Sequence, residues 1–142
     1  MRIRLYKAAA LSRAFYITAR ERFMDYKVRY ENWISSEYLC SEGVAELKKI
    51  SEDDEAIKDA FGAELEFGTA GMRGIIGYGT NRMNVYTVRR ATKGLADFIK
   101  SKGKAAMQRG VAISYDTRNK SELFARAAAG VLLYNDIKVY IY

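Results

Sequence analysis

Apolar positions recur at helical spacing along much of this chain. The clearest run follows Asn84: Val85, Val88, Thr92, Leu95 and Ile99 are separated by 3, 4, 3 and 4 residues, which places them on one face of an α-helix. Asn84 offers an N-cap, Lys100 and Lys102 sit in the last turn, and Gly103 can supply the C-cap. A helix is also predicted from Met24, where Tyr26, Tyr30, Trp33 and Ile34 fall at i, i+4, i+7 and i+8; an aromatic stripe of this kind reads as core packing. Ser41 can cap a short helix carrying Val44, Leu47 and Ile50. Ser51 begins another, with Asp53, Asp54 and Glu55 in its first turn, where acid suits the helix dipole. Ile57, Ala60 and Phe61 form its buried face.

The spacing changes elsewhere. Leu65 and Phe67 alternate with glutamates, as in a half-buried strand. Lys104 to Arg109 reads as a basic, exposed connection. Val111 to Tyr115 is a short β-rich run, followed by a helix that Ser121 can cap, with Phe124, Ala128, Val131 and Leu132 facing inward. Asn135-Asp136 is turn chemistry, and Ile137 to Tyr142 is a second strand. Parallel strands joined by a helix imply a sheet covered by helices, and Asp116-Thr117-Arg118 then falls at the carboxyl end of its strand, where open α/β sheets place ligands. A ligand loop and a plain loop-stabilising ion pair with helix capping are both open readings of Asp116 and Arg118.

Between strand and long helix lies Phe67-Gly68-Thr69-Ala70-Gly71-Met72-Arg73-Gly74-Ile75-Ile76-Gly77-Tyr78-Gly79, which holds five of the chain's eleven glycines. Thr69 brings a hydroxyl, Arg73 a charge that can fork onto a phosphate, and successive backbone N–H groups can form an anion nest. A turn-rich connector with a solvated arginine is the alternative. Gly74 and Gly79 have P-loop spacing, but Thr80-Asn81 follows where Lys-Ser/Thr is required. Gly77-Tyr78-Gly79 opens like a dinucleotide fingerprint, but Arg82 occupies the third glycine position.

At 142 residues the length suits one domain with one core. A single cysteine, Cys40, permits no internal disulfide, which points to a reducing compartment, and the absence of histidine removes any His-based triad or zinc site. The formal net charge of +7 is concentrated at the start of the chain. Residues 1–23 carry six basic side chains and one acid, while the other 119 residues net only +2, too little for a nucleic-acid footprint. The longest apolar run in residues 1–23, Ala8 to Leu11, is too short for a membrane span or a secretory signal.

Glu64-Leu65-Glu66-Phe67-Gly68-Thr69-Ala70-Gly71-Met72-Arg73-Gly74, then Gly79-Thr80-Asn81-Arg82-Met83-Asn84, closely resemble the first domain of the α-D-phosphohexomutases, the phosphoglucomutases and phosphomannomutases. The resemblance continues through Tyr86-Thr87-Val88-Arg89, Ala91 to Asp97 and Ile113 to Ser121, covers roughly residues 24–142, and is nearest the phosphoglucomutase-2-like and phosphopentomutase branch. It implies an α/β fold, a three-layer α/β/α domain with a mixed, largely parallel sheet preceded by N-terminal helices. The expected organisation is a basic extension over residues 1–23, a helical segment over 24–62, and domain I over 63–142, truncated at its C-terminal end. Met24-Asp25-Tyr26-Lys27 is where such family members begin. Residues 1–23 are therefore expected to be upstream sequence, or, being arginine-rich and acid-poor, a mitochondrial transit peptide. Cytoplasmic localisation is expected, mitochondrial in the second case.

The resemblance also implies a four-domain parent enzyme that moves a phosphoryl group between two hydroxyls of one sugar phosphate. It would interconvert sugar 1- and 6-phosphates, or pentose 1- and 5-phosphates, through a phosphoserine and a bisphosphorylated intermediate. Mg²⁺ would be a cofactor and the bisphosphorylated sugar an activator. Thr69 and Arg73 match the family's active-site threonine and arginine, with Arg73 in a catalytic role and Gly68, Gly71 and Gly74 as phosphate-loop backbone. Asp116 and Arg118 are a further candidate loop. The family's phosphoserine lies in a Ser-His-Asn-Pro type segment. This chain has neither His nor Pro, and Ser114 and Ser121 do not match it. The Asp-Gly-Asp type Mg²⁺ loop is absent as well. The chain is thus expected to be an N-terminal fragment, inactive alone, whose partners are a phosphosugar and the enzyme's remaining domains, with no nucleic acid or membrane. A stand-alone, non-catalytic phosphate-binding or interaction domain is the competing reading. A third is a protein that reaches nucleic acid or membrane through its basic first 23 residues.

Overall fold

The computed structural model describes residues 26–69 and 71–142. The expectations for residues 1–23 lie outside them. Contacts divide the chain into two units, one ending at Gly62 and the other beginning at Ala63.

In the first unit, α1 (Tyr26–Ile34), α2 (Ser41–Lys49) and α3 (Asp54–Phe61) follow one another closely. The aromatic stripe of α1 is core, as its spacing predicts. Phe61 is fully buried, and the rings of Tyr30 and Trp33 each meet it edge-on with centroids 5.7 Å apart. The Tyr30 hydroxyl donates to the Leu47 carbonyl at 3.1 Å, tying α1 to α2. Burial, with Glu52 adding to it, raises the pKa of this phenol, which keeps it a neutral donor. The helix starts differ from expectation by a residue or two. Cys40, not Ser41, occupies the N-cap of α2 and makes no side-chain cap bond. Asp53 caps α3, accepting from the Ala56 N–H at 2.9 Å, while Ser51 bonds back to the Lys48 carbonyl instead. A carboxylate facing free helix N–H groups is the stronger acceptor, so Asp53 wins the cap.

The second unit opens with a short antiparallel pair, β1 (Phe67–Gly68) and β2 (Gly71–Met72). Then come α4 (Val85–Ser101), α5 (Lys104–Arg109), β3 (Val111–Ile113), α6 (Ser121–Tyr134) and β4 (Val139–Ile141). β3 and β4 are parallel, with Val111 opposite Val139 and Ile113 opposite Ile141, and α6 is the crossover between them. The unit is α/β as expected, with a small sheet. Its core is Ala96, Leu132 and Ile137, with Ile99, Met107, Val111, Ile113 and Val139 packed around them.

Four expectations change here. Lys104 to Arg109 is a helix and not an open connection; Met107 turns inward to the core, which gives the segment an apolar anchor. On α4, Leu95 is 44% exposed and Ala96 takes the fully buried position, because a small side chain lets α4 and α6 approach closely. Leu65 and Phe67 do not form a half-buried face: Phe67 is 75% exposed, since β1 pairs only with β2 in a two-residue ladder. Nor does Ser121 cap α6, whose N-cap is Lys120 in the left-handed region with φ 61°.

Leu132 is 1% exposed and Leu133 59%. Leu132→Ala should therefore cost about 2–5 kcal/mol in urea unfolding, and Leu133→Ala less than about 0.5 kcal/mol. Equal effects would show that α6 is not seated as described.

Candidate functional site

The glycine-rich stretch returns on itself. Leu65 N–H donates to the Thr80 carbonyl at 2.8 Å and Met83 N–H to the Ile75 carbonyl at 2.8 Å. The Thr80 hydroxyl donates to the Ala63 carbonyl at 2.7 Å. Gly71 has φ 96°, a turn conformation that side chains rarely adopt. Gly74 lies against Leu65, where an added Cβ would stand 2.6 Å from Cδ1. A side chain there would require Leu65 to move aside.

Asn84 holds the loop to the long helix. Its side-chain amide nitrogen donates to the carbonyls of Gly77 at 2.9 Å, Gly79 at 3.0 Å and Arg82 at 3.2 Å. Its oxygen accepts from the N–H groups of Tyr86 at 3.0 Å and Thr87 at 2.9 Å. The Thr87 hydroxyl accepts from the Asn84 N–H at 3.1 Å, completing a capping box. Asn84 and Thr87 are buried, so these groups have little water to fall back on. The N-cap is legible in the sequence; the hold on three loop carbonyls is not.

The loop and the start of α6 line an open groove of about 410 Å³. Arg73 and Gly74 come from the glycine stretch, and Arg118, Asn119 and Ser121 from the segment after β3, with Phe124 among the apolar lining. The structure thus brings together Arg73, Gly74 and Arg118. Thr69, Gly68 and Gly71 do not line the groove; Gly68 and Gly71 pair across the β1–β2 hairpin, and Thr69 is exposed in its turn. Asp116 also stays out of the lining, but it accepts from the Arg118 N–H at 3.1 Å and from its Nε–H at 2.7 Å. Asn119 and Ser121 are lining residues that sequence reasoning missed. Their signal is position: Asn119 directly follows Arg118 and Ser121 is three residues on, both within the family-like run Ile113 to Ser121.

Among the described residues Arg73 makes no hydrogen bond or ion pair. Two guanidinium groups, an amide and a hydroxyl suit an oxyanion, and above all a phosphate. They do not suit Mg²⁺, which is bound through carboxylates and phosphates, and no three metal-ligating side chains converge among the described residues. The Asp116 carboxyl is held below the usual aspartate value, chiefly by the Arg118 backbone N–H, then by its side chain, with Ser121 adding a smaller effect.

The family model for phosphoglucomutase/phosphomannomutase, alpha/beta/alpha domain I, matches residues 64–142. The chain belongs to this family. Phosphopentomutase from Mus musculus is 36% identical over 110 residues, covering 73% of this chain and 18% of its own length. A probable phosphoribomutase from Schizosaccharomyces pombe is 38% identical over 92 residues, 65% of this chain and 16% of the relative. Phosphoglucomutase from Staphylococcus epidermidis is 34% identical over 110 residues, 78% and 19% respectively. The chain thus spans less than a fifth of the length of these curated relatives. No solved structure gives a significant match. Among the described residues, no helix is long and apolar enough to cross a membrane.

Two measurements check this geometry. Asn84→Ala should cost about 2–4 kcal/mol in urea unfolding, one part for the cap and the rest for carbonyls left without a donor. Asn84→Asp keeps the cap acceptor and should recover only the first part; full recovery would show that the amide bonds to the loop carry no weight. The Asp116 carboxyl should titrate by NMR below the ordinary aspartate value, held down by the Arg118 backbone N–H and side chain. Because its folded value is lowered, its stabilising effect is present above the unfolded value and lost as pH falls through the folded one. Arg118→Ala should reverse the shift only in part, since the backbone N–H remains.

Proposed function

We propose that this chain supplies one phosphate-contacting wall to the active site of a phosphosugar mutase. The parent activity is an intramolecular phosphoryl transfer between the 1- and 6-positions of a hexose phosphate, or the 1- and 5-positions of a pentose phosphate. It proceeds by way of a phosphoserine and a bisphosphorylated sugar. The observation that carries this reading is the groove, in which Arg73 and Arg118 come from separate loops to one cavity. The family membership and the relatives' names give the reaction class. Three relatives are called phosphopentomutase, phosphoribomutase and phosphoglucomutase, so the pentose and hexose versions both stay in the proposal.

Within this reading Arg73 grips the phosphoryl oxygens by charge-assisted hydrogen bonds, which grow stronger as charge develops in transfer. Asn84 ties the later part of the same loop, at Gly77, Gly79 and Arg82, to the long helix, while the exposed Arg73 side chain stays free to close on a phosphate. Gly74 keeps the backbone close to Leu65 at the groove wall. Thr69 lies in the neighbouring hairpin turn and orients that loop. Mg²⁺ and the bisphosphorylated activator belong to the same proposed activity; the groove's donors fit the activator's phosphate, not the metal. Phosphosugar and the enzyme's other domains are the proposed partners, in the cytoplasm, with no role for nucleic acid or membrane.

Positioning and electrostatics supply nearly all of the catalysis in phosphoryl transfer. One wall of a pocket should accordingly bind weakly and turn over nothing. Inorganic phosphate, glucose 1-phosphate and ribose 1-phosphate should each shift the amide signals around Arg73 and Gly74 in NMR titrations. Arg73→Ala should weaken binding by on the order of 1.5 kcal/mol, the low end for bonds to a charged group because the side chain is exposed. A coupled mutase assay on the chain alone, with Mg²⁺ and a bisphosphate present, should read zero. Unchanged titration by Arg73→Ala would remove the assigned role, and turnover that survives purification would overturn the single-wall reading.

A further inference from the structure

The two arginines of the groove are held differently. Arg73 makes no hydrogen bond among the described residues, whereas Arg118 is bound to Asp116 twice. The Arg118 N–H donates to Asp116 Oδ1 at 3.1 Å and its Nε–H donates to Oδ2 at 2.7 Å. Both carboxylate oxygens are thus used within a three-residue loop. An arginine side chain is long and rotamer-rich, and fixing Nε on a carboxylate two residues away removes much of that freedom. The other guanidinium N–H groups make no hydrogen bond among the described residues. They form the edge of the fork that matches two phosphate oxygens. The pair is exposed, 85% for the Arg118 side chain and 52% for Asp116, and an exposed ion pair contributes little to stability. Its effect on where the guanidinium stands is the larger one.

We propose that Arg118 is a second phosphate-gripping side chain of the groove, and that Asp116 is the positioning residue that presents it. Arg73 and Arg118 then take the phosphomonoester dianion of the sugar substrate together. This rests on the reading of the groove as a phosphate site. Charge favours two arginines over one: a phosphate monoester carries between one and two negative charges near neutral pH. Asn119 lines the same groove and adds an uncharged donor for a remaining oxygen, while the Ser121 hydroxyl, also in the lining, is directed at the Asp116 carboxylate.

The sign of one substitution separates positioning from simple charge. Asp116→Asn removes a negative charge near the groove, which by electrostatics alone would tighten phosphate binding. It also replaces one acceptor oxygen with an amide donor and releases Arg118 Nε–H, which by positioning would loosen it. The experiment is an NMR titration of the full chain with inorganic phosphate at constant ionic strength, for wild type, Arg73→Ala, Arg118→Ala, Asp116→Asn and the Asp116→Asn/Arg118→Ala double variant. A thermal midpoint for each confirms that it is folded. Arg118→Ala should weaken binding roughly tenfold. Asp116→Asn should weaken it by a smaller factor and cause no further loss in the double variant. The Arg118 Nε–H signal should be protected from exchange in wild type and lose that protection in Asp116→Asn. Tighter or unchanged binding by Asp116→Asn overturns the positioning role. Loss on Arg73→Ala with none on Arg118→Ala overturns the two-arginine grip and leaves the groove reading standing. If neither arginine matters, or wild type binds no phosphate, the groove reading falls and this inference with it.

Discussion

The glycine-loop side of the groove is tied down by the side chain of Asn84. One primary amide must serve both as a helix cap and as the donor to three loop carbonyls, those of Gly77, Gly79 and Arg82. No other short side chain offers an acceptor and a two-proton donor together. The glycine-rich chain has high conformational entropy when free, so a loop of defined course needs an external constraint. Burial of Asn84 and Thr87 makes that constraint strict, because a broken bond there is not replaced by water. The long helix α4 therefore carries the loop, and α4 is itself fixed by the core contact of Ala96 with Leu132 and Ile137.

The second wall uses a different device. A seven-residue connection, 114–120, which contains Asp116-Thr117-Arg118 and ends at a left-handed Lys120, brings the chain from β3 into α6. The parallel register of β3 and β4 places this loop at the carboxyl end of β3, where the α/β arrangement leaves room for a ligand. Two walls built by unlike means meet in one groove. The first is rigid through backbone-directed bonds, the second through a carboxylate that holds a guanidinium. The unit ending at Gly62 shows a third way to place side chains, with Tyr30 and Trp33 set edge-on against Phe61, as aromatic quadrupoles prefer.

What the sequence determined by itself is whatever depends on near neighbours. Helical spacing located α1, α4 and α6, and Asn84 was legible as a cap because capping is decided within four residues. The βαβ pattern around α6 followed from period and length. The family membership was legible too, through the run from Glu64 to Asn84 and the Asp-Thr-Arg segment, and so was the candidate standing of Arg73, Asp116 and Arg118. Only the tertiary structure decided which face of α4 is buried, since Ala96 and Leu95 differ in burial through the approach of α6 and not through hydropathy. The same holds for Met107, which makes a helix of a stretch that reads as a basic connector, and for Asn84 reaching back over several residues to three carbonyls. It holds most of all for the groove. Arg73 and Arg118 are 45 positions apart, and no local period relates them. Thr69, four residues from Arg73, lies outside the groove, because it sits in the turn between β1 and β2 while Arg73 follows β2.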